Sequence, residues 1–200
     1  GDRRLPPVVA GDDGWESAVS AARGVRRQEL LRIACADLLG LVEPVEVGRS
    51  LADSAGATVE AALRVALRKV EVERRGPVPV RIAIIAMGRL GGHEQGYGSD
   101  ADVLFVHDPL EGVPDDVAAA AAQAVAEELR RLLQFPAQDP PLLIDADLRP
   151  EGRQGPLTRS LAAYREYYAR WSRVWEAQAL LRAAPLAGDP LLARAFLDQI

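Results

Sequence analysis

The sequence predicts an α+β fold, a small mixed sheet with helices flanking it on the N-terminal and C-terminal sides. Three observations carry that expectation. Two short β-branched runs, Val78 to Ala86 and Asp100 to Val106, stand either side of a glycine-rich turn. Long segments with apolar residues every three or four positions precede and follow them. A third short run, Pro141 to Leu148, comes after an alanine-rich helical segment, and strand, helix, strand implies a crossover.

In chain order, residues Gly1 to Gly14 are rich in Pro, Gly and charge and read as a frayed start or the tail of a preceding domain. A helix is expected from Trp15 to Leu41, with Leu31, Ala34, Leu38 and Leu41 as its buried stripe and Cys35 as a small core residue. Pro44 breaks it. A second helix is expected from Glu46 to Arg74, burying Val59, Leu63, Ala66 and Val70, with basic residues offsetting the dipole at its end and Gly76 and Pro77 stopping it. After the second strand, Asp115 or Asp116 is placed to cap a helix to Leu133 that buries Ala118, Ala122, Val125, Leu129 and Leu132 and pairs Glu127 with Arg131. Beyond Gly155 the chain reads as helices to its end, with Ser160 as a cap and Tyr164, Tyr167, Tyr168, Trp171 and Trp175 mostly in the core. The expected division is an N-terminal helical layer over 1–76, a strand-bearing core over 77–158 and a C-terminal helical segment over 159–200.

Bulk properties exclude some functions. The net charge of −5 gives no general attraction to nucleic acid or to an anionic membrane. No apolar run approaches the roughly 20 residues needed to span a bilayer. One cysteine leaves no internal disulfide and suits a reducing compartment, so a soluble, cytoplasmic protein is expected. His93 and His107 have no partners at metal-ligand spacing and read as surface residues.

The chemistry sits between the first two strands. Gly88, Gly91, Gly92, Gly96 and Gly98 let the backbone come close to a ligand such as a polyphosphate. Asp100 and Asp102 are two apart at the head of the second strand, so both point to one side of the pleat. Paired carboxylates repel each other unless a hard divalent cation sits between them, and Mg²⁺, which shares oxygen ligands with substrate phosphates, is the natural candidate. The alternative is a solvated strand end. In the third strand Asp145 and Asp147 again share one face, with Leu143, Ala146 and Leu148 packing around them.

Four stretches in order, MGRLGG (Met87 to Gly92), GYGSDADVLFVHD (Gly96 to Asp108), IDADLRPEGRQGPL (Ile144 to Leu157) and WEAQALLRA (Trp175 to Ala183), resemble one family. The chain is similar to the nucleotidyltransferase superfamily that includes DNA polymerase β, and within it to the glutamine-synthetase adenylyltransferases. That resemblance implies a polymerase-β-like core with Asp100, Asp102 and Asp145 as catalytic acids holding two Mg²⁺ ions. It also implies ATP as substrate, bound through Gly88, Arg89, Gly98, Ser99 and Arg149, with Arg182 as a further phosphate or carboxylate partner. Asp147 falls where relatives often carry a basic or small residue, and it could salt-bridge Arg149 or Arg153, face solvent or bind metal. The implied reaction is transfer of AMP from ATP to a tyrosine of glutamine synthetase, with the PII signalling protein as a regulator. Gly96-Tyr97-Gly98-Ser99-Asp100 favours the adenylylating over the removing unit, although Gln95 replaces the common Leu. A non-catalytic docking module and phosphodiester hydrolysis are the competing readings.

Overall fold

The computed structural model describes residues 12–171 and 174–199, with the side chains of Asp12, Asp13 and Trp175 left aside. The expectation for the first residues of the chain therefore lies outside the described residues up to position 11, as does the end of the last helix at Ile200. The elements run α1 (Asp12–Leu38), α2 (Pro44–Arg74), β1 (Val80–Ala86), α3 (Gly88–Gly91), β2 (Ala101–Pro109), α4 (Asp115–Gln134), β3 (Ile144–Asp145), β4 (Thr158–Ser160), α5 (Leu161–Trp171), α6 (Val174–Leu180), β5 (Ala184–Gly188) and α7 (Pro190–Leu197). The sheet is five-stranded and mixed, in the order β3-β2-β1-β5, with β4 also beside β2. β1 is antiparallel to β2 and β5, whereas β3 and β4 run parallel to β2, as a return through α4 requires.

Alternation along the strands divides the core in two. Ile82, Ile84, Ala86, Ala101, Val103 and Phe105 face one way, onto the buried residues of α2 and α4. Ala83, Ile85, Met87, Leu104 and Val106 face the other, onto Tyr164, Leu192 and Phe196 of α5 and α7. Both faces are covered, which explains why β1 and β2 read as nearly continuous apolar runs rather than alternating ones. The stripes of α2 and α4 are buried at the positions that their spacing implies.

The first helix is different. Leu31, Leu38 and Leu41 are exposed, Leu38 at 87%, and so is Cys35. α1 buries Trp15, Val19, Arg23, Arg26 and Ile33 instead. Two arginines lie on that face because the backbone opposite them needs donors. Arg23, 1% exposed, donates to the carbonyls of Phe135, Asp139 and Pro140, and Arg27 pairs with Asp139 at 2.9 Å. An arginine on a helix reads as the wet side, so the helical period pointed to the wrong stripe.

Other expectations shift locally. The N-cap of α4 is Pro114, and Asp115 and Asp116 lie in its first turn, where their charge still favours the dipole. Arg131 reaches Glu128 and, across the layer, Glu16 rather than Glu127, which accepts from Gln123. The third strand pairs only at Ile144–Asp145, and Leu143 is exposed. The stretch after residue 158 carries β4 and β5 as well as helices. Ser160 does accept from Ala163 N–H at 3.2 Å. Of the aromatic run, Tyr164 is buried, stacked on Tyr168 and edge-on to Phe196, while Trp171 is exposed. His107 is buried, and desolvation holds its imidazole below the usual range against the opposing charges of Asp108 and Asp115.

Candidate active site

β2 begins at Ala101, so Asp102 is fixed by the sheet while Asp100 stands just outside it. The parallel register sets Ala101 against Ile144 and Asp102 against Asp145. Ile144 and Ala101 belong to the core on the α2 and α4 side, so by alternation Asp102 and Asp145 both project from the opposite face. Burial raises the Asp102 carboxyl above its usual range, and the charges of Asp145 and Asp100 push it further in the same direction. Of the three acids named from the sequence, Asp100 and Asp145 thus both lie within electrostatic reach of Asp102 at one end of β2.

Gly88 completes the wall. Its φ is +53°, a left-handed conformation, and a Cβ there would stand 2.7 Å from Asp102 Oδ2. Close behind, a Cβ on Gly91 would stand 1.9 Å from the carbonyl oxygen of Arg182, so the backbone before β5 packs directly on α3. Ser99 Oγ accepts from Gly96 N–H at 3.2 Å, and Gly98 is exposed with open space where a Cβ would stand. Arg89 is exposed and donates through Nε to Glu94 O at 3.1 Å.

Beside the acids opens a cavity of about 440 Å³ whose lining includes Asp100, Asp145, Asp147, Arg130, Arg149 and Arg153. One oxygen of Asp145 accepts from Asp147 N–H at 2.7 Å. Asp147 pairs with Arg153 at 2.6 Å and with Arg149 at 3.5 Å, which realises the salt-bridge alternative left open for it. Arg149 also donates to Ala146 O at 2.8 Å and to Gly155 O at 3.2 Å, so its guanidinium holds the turn after β3. Arg182 lies elsewhere, paired with Glu94 of the glycine turn at 2.8 Å. Tyr97 Oη donates to Asp37 of α1 at 2.9 Å, and the turn is tied to the first helix.

The sequence reading missed Arg130 and Gln134, which reach the cavity from the end of α4. Their i,i+4 spacing on a helix that returns to β3 was the available signal. It also gave no role to Gln95, which is buried.

Among the described residues no group of three or more His, Cys, Asp or Glu side chains is already gathered as a metal-ligand set. The donors nevertheless suit a hard cation: all are carboxylates, and both burial and the neighbouring charges that raise Asp102 disfavour its ionised form, which such an ion would stabilise.

A family model for glutamate-ammonia ligase adenylyltransferase matches residues 5–199. The chain belongs to that family. Among curated relatives, the bifunctional glutamine synthetase adenylyltransferase/adenylyl-removing enzyme of Streptomyces coelicolor is 53% identical over 98% of this chain and 20% of its own length. Proteins of the same name from Nocardia farcinica and Mycobacterium tuberculosis are 52% and 51% identical, over 99% and 92% of this chain and 20% and 18% of their own lengths. The chain thus spans about a fifth of the length of these members of the adenylyltransferase family, whose names couple two opposed activities. The α+β architecture with a small mixed sheet agrees with the fold expected for this family.

Proposed function

We propose that this chain is a nucleotidyltransferase unit that moves AMP from ATP onto a tyrosine hydroxyl of glutamine synthetase. The observation that carries the reading is the parallel register of Asp102 with Asp145, beside Gly88 and two residues after Asp100. Support for the acceptor comes from the relatives' names, which specify glutamine synthetase.

Asp100, Asp102 and Asp145 would hold Mg²⁺, two ions in the full form of this reading, and the cations would supply positive charge against the triphosphate. The chain's own groups do the rest. Backbone N–H groups of the turn at Gly88 and Gly98, with Arg89 and the Ser99 hydroxyl, bind and orient phosphate oxygens. Arg149 keeps the β3 turn, and with it Asp145, in place. Asp145 lines the cavity, where a carboxylate can orient the incoming tyrosine hydroxyl or accept its proton. In-line displacement at the α-phosphorus then forms the tyrosyl O–P bond and releases pyrophosphate. The same reading includes the PII signalling protein as a regulator of the longer enzyme and a cytoplasmic setting.

The second reading is removal of AMP by phosphorolysis, which the relatives' paired names keep in view. The sequence Gly96-Tyr97-Gly98-Ser99-Asp100 favours addition. Incubation with labelled ATP, Mg²⁺ and unmodified glutamine synthetase tests the choice: label on tyrosine supports addition, and phosphate-dependent release of ADP from adenylylated glutamine synthetase supports removal. Titration with ATP and Mg²⁺ separates both from a docking module, because only a catalytic unit loses binding in the Asp100→Ala, Asp102→Ala double variant.

A further inference from the structure

The sheet fixes Asp102 and Asp145 by pairing their strands, but Asp100 precedes the first paired residue of β2 and needs another source of order. Its backbone has one on each side. Ala101 N–H donates to Leu143 O at 2.8 Å, and the Asp100 carbonyl accepts from Gln95 Nε2 at 3.0 Å. The same Nε2 reaches Ser99 O at 3.3 Å. Gln95 therefore closes the turn from outside, around an inner closure in which Ser99 N–H donates to Gly96 O at 3.3 Å.

Gln95 is an unusual residue for the place it occupies. It is 5% exposed, and its Oε1 is buried with no hydrogen-bond partner among the described residues. A half-satisfied buried amide is a poor way to stabilise a fold, because its unpaired oxygen offsets the gain from the paired nitrogen. An apolar side chain of similar size would fill the same space without that penalty. What it could not do is hold two carbonyls and so set the direction in which the Asp100 carboxylate leaves the backbone.

We propose that Gln95 is a positioning residue: its side-chain amide fixes the Ser99–Asp100 backbone so that Asp100 meets the cation shared with Asp102 and Asp145. This rests on the reading of the three acids given above. It predicts that affinity for the divalent ion and stability of the fold separate at this position, since a carboxylate displaced by less than an ångström loses much of its value as a ligand.

The test compares the 200-residue chain with its Gln95→Leu, Gln95→Met and Gln95→Glu variants by thermal melting and by Mn²⁺ titration followed by electron paramagnetic resonance. Gln95→Leu and Gln95→Met are expected to melt at or above the wild-type temperature while binding Mn²⁺ about fivefold to tenfold more weakly, the range one lost hydrogen bond supports. Gln95→Glu, which sets a carboxylate against two carbonyls, should bind more weakly still. Unchanged Mn²⁺ affinity in Gln95→Leu overturns the proposal, and so does a lower melting temperature in both apolar variants, which would make the amide a simple structural brace. Asp100→Asn and Asp145→Asn serve as controls. If wild type binds Mn²⁺ no better than these two, the acids are not a cation site, and that failure is distinct from one confined to Gln95.

Discussion

Gly88 lies against the carboxylate of Asp102, so close that a Cβ on the glycine would stand 2.7 Å from Oδ2. With φ at +53° the position also disfavours any side chain, by about 1–2 kcal/mol. Gly88→Ala is expected to lose stability of about that size and to turn the Asp102 side chain away from Asp145. The larger effect falls on chemistry: a misplacement of about 1 Å can cost about a hundredfold in rate. Melting and AMP-transfer measurements on the same preparation check both, and full activity in a destabilised Gly88→Ala would show that the contact does not orient the carboxylate.

Asp102 should behave as a group kept at the expense of stability. Its carboxyl is raised above the ordinary range by burial and by Asp145 and Asp100, so the folded chain holds this proton more tightly than the unfolded chain does. Stability associated with this group is therefore present at low pH and lost as pH rises through the carboxylate range. Asp102→Asn is expected to raise the metal-free melting temperature by about 1–3 °C at neutral pH and to show no gain at about pH 4. It should also abolish Mn²⁺ binding. A melting temperature at neutral pH below that of wild type would contradict the sign.

The clamp from α1 onto the segment before β3 gives a prediction about folding. Arg23→Ala removes the donor shared by the carbonyls of Phe135, Asp139 and Pro140 and is expected to destabilise the chain by about 3 kcal/mol. Arg23→Lys, keeping the charge without the planar fork, should fall between the two. Urea denaturation measures the series.

On the outer side of α1, Leu31→Gln and Leu38→Gln are expected to change stability by no more than about 0.5 kcal/mol each, because both side chains are exposed. A loss typical of core leucines, about 2–5 kcal/mol, would place the helix the other way round.

Much of the fold could be read before any coordinates, because β1, β2, α2 and α4 bury whole faces and their sequences carry the period of that burial. The errors have a common origin in contacts with distant backbone. α1 turns Arg23 and Arg26 inward because residues 135–141 need donors, which no local pattern in α1 records. β5 reads Ala-Pro-Leu-Ala-Gly, poor in β-branched residues, and becomes a strand because β1 offers it an edge. At the site, strand alternation and glycine spacing are local rules and brought Asp100, Asp102 and Gly88 together, whereas the choice of Asp145 over Asp147 came from the family resemblance. Arg130 and Gln95 were not, since their placement depends on where a helix end and a turn come to rest.

The pairing of β1 with β5 has a consequence for synthesis on the ribosome. A nascent chain halted after Asp147 would already hold every acid and the whole glycine turn, yet one flank of β1 would lie open and Gly91 would lack the backbone of Arg182 that presses on it. Translation must reach Ala184–Gly188 before the platform beneath the carboxylates is closed, so a truncation upstream of that strand should yield a polypeptide that carries all three acids on an unfinished sheet.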